Sequence, residues 1–549
     1  MDSPGLTAGR LALETLYADW RRWLVEHRPT VAALQGDAAG LGRLDGAFLA
    51  AGAGAAEAES LGRLETRLAA LLPGAKVDPD PLTPLLARTL AQRLAWSRLD
   101  PAVTRRDARP DHALDWAAEG LDLILGFAGL SRARRTVLTR AWLADVLAVV
   151  RGWTVRLDTR TLSAHDRKMA DWAAGDLLSF FSDHGAPLLP SGEGQAAVAT
   201  LRTALRGLRS RLRVQTPTPD GFRCGEETLS RYLREVEHVS TPPAELLRQA
   251  LVDLPQHMDA VAAAAARLYP RRSVRSALAE LESDHGTARQ LVRDARACVG
   301  ELREFTLRAG FVTVPEVAED PACRVASAPA YLRALAVACL DVPGPWQTRP
   351  QSACFYLAAP LPGDTPVEVE TALRTFHRSK LAWIAGHETY PGHLVEHQHR
   401  RRAAHEAFQV ADSEVFIEGW ACYAEGLLVE HGFRDGDPRI VLGVAWARVL
   451  RHVRMIAALQ LHAGDVPLRE VDRLFRRAVN LSPVDARRET YRAACEPTVL
   501  TYALGRAEIE RLRREAERRA GFTQRGFHDE LLGWGTLPFG LRGVASADV

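Results

Sequence analysis

The chain has 549 residues, 47% hydrophobic and 25% charged, which are the proportions of an ordinary globular protein with one large core or two or three domains. Its 70 basic and 68 acidic residues nearly cancel, so the composition offers no charge excess for binding nucleic acid or a membrane surface. The seven scattered cysteines form no C-x-x-C pair, which argues against a disulfide framework and against a thiolate metal site.

Most of the chain has the apolar spacing of amphipathic helices. The start, residues 1–5, lacks the basic and apolar run of a signal peptide, so we expect a cytoplasmic protein. Apolar residues then recur every three or four positions in four segments, at 11–25, 85–99, 201–212 and 246–268. We predict a mainly α fold with an N-terminal helical region, 1–200, and a second helical region, 201–549, that contains the motifs below, or one continuous domain.

Residues 311–362 differ from the rest because prolines, β-branched and aromatic residues cluster there. Residues 353–358, which include Tyr356, resemble a short strand immediately before a histidine-rich segment. Such a strand could be an edge on which an extended peptide adds its backbone hydrogen bonds, with Tyr356 in contact with the peptide. It could equally be an ordinary structural hairpin, and the sequence favours neither reading.

The most informative segment runs from Gly386 to His393 and reads G-H-E-T-Y-P-G-H. Two imidazoles with an adjacent carboxylate suit a catalytic zinc site that keeps one position open for water. His387 and His393 are six positions apart, however, which places them about 240° apart on a regular helix. Because proline and glycine lie between them, we predict a kink or looped-out residues that aim both imidazoles at one ion.

Glu418 is the favoured third ligand. It lies in the segment F-I-E-G-W-A, residues 416–421, which is similar to the acidic-helix motif of the gluzincin aminopeptidases. Glu414 and Glu425 share the helix face of Glu418. Either carboxylate could accept the second N–H of a ligand histidine, and the alternative for both is a solvent-exposed charge.

A competing metal motif overlaps the first. His393, Glu396 and His397 fit the inverted pattern H-x-x-E-H, in which two histidines at i and i+4 bind the metal and the glutamate is the base. This reading needs no distortion of the helix, but it leaves His387 and Glu388 without a role. We therefore favour His387, Glu388 and His393 and keep the inverted motif as the alternative.

These motifs together resemble the bacterial domain-of-unknown-function 885 family, which is placed among the gluzincin-like metallopeptidases. Residues 387–393 match its H-E-x-x-P-G-H motif, 418–425 its E-G-W-A-x-Y-x-E motif, and 225–246 its G-E-E…L…T-P…E-L segment. Arg451, Arg454 and His462 fit its R-x-x-R…H helix, and Tyr502 fits its C-terminal Y-x-x-G. The resemblance implies a large helical metallopeptidase-like architecture with a small β element beside the zinc helix.

Leu394 stands where the family often has a second histidine, and two segments also depart from the family pattern. Residues 454–462 lack the aspartate and the glycine of the family helix, and residues 496–499 read E-P-T-V where the family has P-G-Q-A. These departures spare the proposed ligands and the base. They touch the side of the site where we expect the substrate, so the choice of substrate is not carried over from the family.

We therefore expect a zinc-dependent metallopeptidase-like hydrolase, an exopeptidase or oligopeptidase, with one zinc ion bound by His387, His393 and Glu418. Its partner would be a peptide or a small peptide-like substrate. Glu388 would take the proton of the attacking water and deliver it to the leaving amine. Tyr502 and His462 are the candidate donors to the oxyanion, and a structural role is the alternative for each.

Arg451 and Arg454 lie three apart on one predicted helix. Their guanidinium groups could clamp a substrate carboxylate, or they could pair with Glu414 or Glu425 and only support the site. A different class of function also stays open, in which the chain is a helical scaffold that binds a peptide through a degenerate site. The intact Glu388 favours the enzyme, because a structural metal site has no use for a carboxylate beside a ligand.

Overall fold

The structure, a computed structural model, describes residues 6–43, 53–105, 108–127, 129–183, 189, 192–218, 221–315, 323–328, 337–347, 352–360 and 363–542. Within these residues the protein is mainly helical, as predicted, with one small sheet. Residues 1–5, on which the expectation of no signal peptide depends, lie outside the described residues. Among the described helices, none has the length and apolar character needed to cross a membrane.

Eight helices are described before residue 215, and they include the predicted helical segments 11–25, 85–99 and 201–212. They are α1 (Ala8–His27), α2 (Pro29–Leu34), α3 (Ala53–Ala75), α4 (Leu82–Val103), α5 (Pro110–Gly126), α6 (Arg132–Arg156), α7 (Ala164–Asp183) and α8 (Gly192–Val214). Short 3-10 turns also occur in the described chain, at Ala38–Gly40, Phe433–Gly436 and Pro497–Leu500.

The middle of the chain combines helices with the sheet, and α10 contains the fourth predicted helical segment. Its elements are α9 (Glu226–Arg231), a π-helical turn (Tyr232–Val236), α10 (Pro243–Leu268), α11 (Val274–Ser283), α12 (Ala288–Ala309), β1 (Arg324–Ser327), β2 (Ala338–Asp341) and β3 (Cys354–Leu357).

The helices that follow the sheet carry the motifs. They are α13 (Pro366–Thr375), α14 (Arg378–Glu388), α15 (His393–Arg400), α16 (Glu406–Gln409), α17 (Glu414–Glu430), α18 (Pro438–His462), α19 (Leu468–Ala478), α20 (Pro483–Cys495), α21 (Thr501–Ala516), α22 (Gln524–Gly533) and α23 (Phe539–Arg542).

The strand order of the sheet corrects one prediction. β3 is the strand predicted at 353–358, but it lies in the middle, parallel to β1 on one side and antiparallel to β2 on the other. Tyr356 is opposite Ala326 in β1 and Cys339 in β2. Because both of its edges are already paired, β3 cannot accept a peptide strand. The free edges of the described sheet belong to β1 and β2.

The apolar cores mix residues from both sides of position 200. One core joins α1, α3 and α4 to Trp346, to residues 407–411 and to Leu541. Another packs the end of α4 against α10 and the long central helix α18. A third stays within residues 33–212. The predicted boundary at residue 200 therefore runs through shared hydrophobic contacts, and the division into two regions stays a prediction.

Candidate metal centre

The two histidines of the first motif lie on separate helices. α14 ends at Glu388 and α15 begins at His393, so residues 389–392 interrupt the helical path. The interruption contains Pro391 and Gly392, where the spacing of the histidines predicts it. The imidazole rings of His387 and His393 consequently lie 4.7 Å apart, centroid to centroid, with nearly perpendicular planes.

Gly392 allows α15 to begin directly against the end of α14. Its amide donates to the carbonyl oxygen of Gly386 at 3.0 Å. A Cβ at position 392 would lie 1.9 Å from the carbonyl oxygen of His387, far inside van der Waals contact. Glycine is therefore required here by the close approach of the two helix ends, and this approach brings His393 back to His387.

Trp420 satisfies the carbonyl groups of the interrupted segment. It is fully buried on α17, and its indole N–H donates to the carbonyl oxygens of Pro391 at 3.0 Å and Gly392 at 3.3 Å. Buried backbone carbonyls without donors are costly, so this contact stabilises the interruption. In the sequence Trp420 is only one position of the motif at 416–421, because residue spacing carries no signal for a hydrogen bond to such a distant segment.

Glu418 joins the two histidines. Its Oε2 atom lies 3.5 Å from Nε2 of His387 and 3.6 Å from Nε2 of His393. One ligand atom from each of the three residues lies within 4.8 Å of the other two. A tetrahedral ion with bonds of about 2.1 Å separates its ligand atoms by about 3.4 Å, so the observed spacing suits an ion the size of zinc.

The surroundings of the same Glu418 oxygen also suit a bound cation. Within the described residues, Oε2 of Glu418 is buried and has no hydrogen-bond partner. A buried carboxylate oxygen without a partner is unfavourable, and a cation between Glu418, His387 and His393 would remove that cost. Two imidazole nitrogens and one carboxylate oxygen are a donor set that zinc prefers. The residues present therefore fit a zinc ion.

Glu425 orients the first histidine from behind. Its Oε1 atom lies 2.8 Å from Nδ1 of His387, and the carboxylate is fully buried. A carboxylate on Nδ1 fixes the imidazole so that Nε2 faces the ion. Of the two acidic residues proposed for this contact, Glu425 makes it, whereas Glu414 is not among the candidate metal ligands grouped with His387 in the described chain.

Arg451 supports Glu425 and does not face a substrate. Its two terminal nitrogens contact the Glu425 carboxylate at 2.9 and 2.6 Å, and only 9% of its side chain is exposed. The prediction of a substrate clamp at Arg451 is therefore wrong, and the supporting role is correct. Cys422 also lies within 4.8 Å of His387 and Glu425. Because Arg451 already neutralises that carboxylate, a metal ion is disfavoured on this side of the imidazole.

Arg454 corrects the other half of the clamp prediction. Its Nε and Nη2 atoms donate to the two carboxylate oxygens of Glu489, each at 2.7 Å. The pair is mostly shielded, with 12% of the Arg454 side chain exposed. The guanidinium fork is therefore occupied by a carboxylate of the protein itself.

Glu388 lies at the end of α14, beside β2. The end of α14 packs against β2, and the backbone of Leu340 in β2 lies near the Glu388 carboxylate. Glu388 is 8% exposed, and burial raises the pKa of its carboxyl group. A carboxylate with a raised pKa is a stronger base than a surface glutamate. Of the two roles that the sequence left open for residues 353–358, the central position of β3 excludes the peptide-binding edge, because strand order is a tertiary property.

Tyr502 reaches the centre because α17 and α21 cross closely. At the crossing, a Cβ on Gly505 would lie 1.7 Å from the carbonyl oxygen of Val415, so only glycine permits the contact. One turn earlier, the Tyr502 ring lies nearly parallel to the His387 ring at 6.5 Å. Burial raises the pKa of the Tyr502 hydroxyl, which keeps its proton available for donation. Tyr502 therefore stays a candidate oxyanion donor.

His462 is a structural residue, which corrects a further prediction. Its Nδ1 atom accepts the backbone N–H of Cys224 at 3.2 Å, and its Nε2 atom donates to the carbonyl oxygen of Ala493 at 2.9 Å. Burial lowers the pKa of His462 to about 4, so the ring is neutral. With both ring nitrogens bound to the backbone, His462 has no donor left for an oxyanion.

The residues of the inverted motif lie apart from the cluster. Glu396 is 2% exposed and pairs with Arg400 at 3.1 Å, one turn along α15. His397 is 1% exposed, and neither of its ring nitrogens has a hydrogen-bond partner in the described part of the chain. The groups of candidate metal ligands found among the described residues include His393 but neither Glu396 nor His397. The geometry thus favours the first motif.

The described residues define a mainly helical protein with a cluster of two histidines and one glutamate, of which His387 is buried and the other two are partly exposed. The chain belongs to the family described as "Bacterial protein of unknown function (DUF885)", whose sequence profile matches residues 35–541. No curated protein matches the chain.

Two solved structures share the fold. One is described as a "putative lipoprotein of unknown function" from Shewanella oneidensis, with a TM-score of 0.71 and 17% identity, and covers 99% of this chain and 100% of its own. The other is described as the "putative lipoprotein" from Colwellia psychrerythraea, with a TM-score of 0.72 and 14% identity, and covers 99% of each chain. At these identities, the likeness shows the fold alone.

Proposed function

We propose that this protein is a zinc-dependent peptidase whose metal ligands are His387, His393 and Glu418. The observation that carries the proposal is the buried Oε2 atom of Glu418, which lies within 3.6 Å of both Nε2 atoms and has no hydrogen-bond partner in the described chain. Three ligands leave one position of a tetrahedral ion open, which is the arrangement of catalytic rather than structural zinc.

The carboxylate of Glu388 separates this site from a purely structural one. A zinc ion in the site would supply Lewis acidity and an activated water at neutral pH. Glu388 takes the proton from the attacking water as the new C–O bond forms, and then passes it to the amide nitrogen, so that the C–N bond breaks when the tetrahedral intermediate collapses. The Tyr502 hydroxyl donates a hydrogen bond to the oxygen on which negative charge develops.

A peptide is the substrate class that the surroundings favour. β2 lies beside Glu388, and its outer edge has no strand partner among the described residues; an edge of this kind can bind an extended peptide through main-chain hydrogen bonds. The edge role that the sequence left open for residues 353–358 is thus proposed for β2. A cytoplasmic location stays a prediction.

The first experiment measures the metal content of proteins purified without added metal. We expect about one zinc per chain in the wild type, loss of zinc in Glu418→Ala and retention in His397→Ala. Loss of zinc in His397→Ala would transfer the site to the inverted motif. A wild type that takes up no zinc when it is offered would overturn the proposal.

The second experiment measures hydrolysis. A zinc-loaded wild type incubated with a peptide library should generate cleavage products by mass spectrometry. Glu388→Gln should retain zinc and lose about 10²- to 10⁴-fold in rate. Glu304→Gln, a change at an exposed residue of α12, is the control and should keep the wild-type rate. A zinc-loaded wild type that binds peptides without cleaving any would instead support the degenerate scaffold.

A further inference from the structure

A third arginine, Arg492, contacts Tyr502 at the edge of the centre. Arg451 and Arg454 are 9% and 12% exposed, and carboxylates of the protein occupy their forks. Arg492, on α20, is 37% exposed. It is thus far more accessible to a ligand than either of the two arginines that the sequence singled out.

The contacts of Arg492 direct it towards Tyr502. Its Nη2 atom donates to the Tyr502 hydroxyl at 3.4 Å, and its guanidinium carbon lies 5.9 Å from the centroid of the tyrosine ring. Tyr502 in turn lies against the ring of His387. One side chain therefore separates the Arg492 guanidinium from a candidate zinc ligand.

The ion pair that Arg492 makes can be exchanged for another. Its Nε atom donates to Glu496 at 2.9 Å, and Glu496 is 51% exposed. Pairs of this kind, i to i+4 on a helix and open to water, are weak. The Nη1 atom has no hydrogen bond in the described chain, so Arg492 keeps donors for an incoming anion while Glu496 turns into solvent.

We infer that Arg492 determines substrate specificity by binding the C-terminal carboxylate of a peptide beside Tyr502. The inference rests on the proposed function and narrows it to removal of a short C-terminal fragment or cleavage of a very short peptide. The Arg492 guanidinium carbon lies 5.9 Å from the centre of the Tyr502 ring, and that ring lies 6.5 Å from the centre of the His387 ring. Because each residue of an extended peptide spans about 3.3–3.6 Å, a carboxylate bound by Arg492 is at most about three or four residues from a carbonyl group held at the zinc ligands.

The test compares N-acetyl-trialanine as a free acid with the same peptide as a C-terminal amide. The wild type should favour the acid in kcat/KM by about ten- to hundredfold, mainly through KM, since a hydrogen bond to a charged group is lost with the amide. Arg492→Gln should abolish this preference by lowering kcat/KM for the acid alone. Arg492→Lys should retain part of it, because the charge stays but the fork is lost.

Arg487→Gln is the matched control, since Arg487 is exposed on the same helix and should leave the acid preference unchanged. Melting temperatures of all variants identify any general loss of structure. An acid preference that survives in Arg492→Gln would overturn the inference, as would a wild type that cleaves both peptides equally.

Binding separates failure of this inference from failure of the proposed function. Zinc-loaded Glu388→Gln is titrated calorimetrically with the acid and the amide, with and without Arg492→Gln. If the wild type cleaves no peptide but acid-selective binding disappears with Arg492→Gln, the carboxylate site stands and the hydrolase is refuted. If peptides are cleaved but the acid and the amide are bound and cleaved equally well, the proposed hydrolase activity is supported and the role of Arg492 is refuted.

Discussion

Replacing Glu425 by glutamine separates the two contributions that this carboxylate makes to the centre. It accepts a hydrogen bond from His387 at 2.8 Å and neutralises Arg451 through contacts of 2.6 and 2.9 Å. The amide oxygen of glutamine can still accept from His387, so the orientation of the imidazole is partly preserved. The negative charge is lost.

The losses of zinc affinity and of folding stability in Glu425→Gln can both be estimated. Substitution of a carboxylate behind a ligand histidine lowers metal affinity about 10- to 100-fold. Because the hydrogen bond is kept, we expect the lower end, about 1.4 kcal/mol of zinc binding. Leaving Arg451 buried beside a neutral amide should cost about 3 kcal/mol of folding free energy, the lower part of the range for a broken buried pair.

The assay uses a double variant as its control. Zinc affinity is measured by competition with a chelator, and the free energy of unfolding by urea denaturation of the metal-free protein. Glu425→Gln should lose both zinc affinity and stability. Glu425→Gln/Arg451→Met should regain most of the stability, since the unpaired cation is gone, while zinc affinity stays about tenfold lower.

Two results would refute this reasoning. Wild-type zinc affinity in Glu425→Gln would mean that the carboxylate does not support a metal ligand. Equal stability of the wild type and Glu425→Gln would mean that Arg451 does not depend on Glu425 for its charge balance. Either result would also remove the basis for treating Arg451 as a supporting residue.

Three further predictions address the supports of the centre. Gly392→Ala should abolish zinc binding, because its Cβ would meet the His387 carbonyl oxygen at 1.9 Å, whereas Gly207→Ala, with open space around its Cβ, should bind zinc normally in the same elemental analysis. Trp420→Phe removes the donor to the interrupted segment and should cost about 1–3 kcal/mol in urea denaturation with weaker zinc binding; unchanged values of both would contradict that role. Acid should destabilise the metal-free protein, because folding lowers the pKa of His462 from near 6.5 to about 4. The contribution of the neutral, buried ring to the free energy of unfolding is therefore complete above pH 6.5 and is lost as the pH falls towards 4. At pH 5 this loss reaches about 2 kcal/mol, and the melting temperature of His462→Gln should fall less between pH 7 and pH 5 than that of the wild type.

The centre shows which inferences can be made from local spacing. Two histidines six apart cannot share an ion on a regular helix, and proline with glycine between them indicated where the helix is interrupted. The structure has the interruption at that place. The helical segments followed from apolar periodicity in the same way, because the repeat of a helix is written into consecutive residues.

Contacts between distant segments could not be predicted in this manner. The spacing of Arg451 and Arg454 fits both a substrate clamp and a supporting role. Only tertiary packing pairs Arg451 with Glu425 and Arg454 with Glu489. His462 could be a free donor in sequence, but the neighbouring backbone occupies both of its ring nitrogens. The sequence does not show whether a hydrogen-bond donor already has an acceptor in another part of the folded chain.

The sequence by itself determined the chemistry available to this protein: helices, two imidazoles and a carboxylate with a second carboxylate adjacent, and a glycine where two helix ends meet. The tertiary structure decided the assignments. It placed β2 rather than β3 beside Glu388, and it selected Glu425 rather than Glu414 behind His387. The physical reason is that residue type and spacing set what a side chain can do within its own element, whereas strand order and helix crossings set which side chains meet.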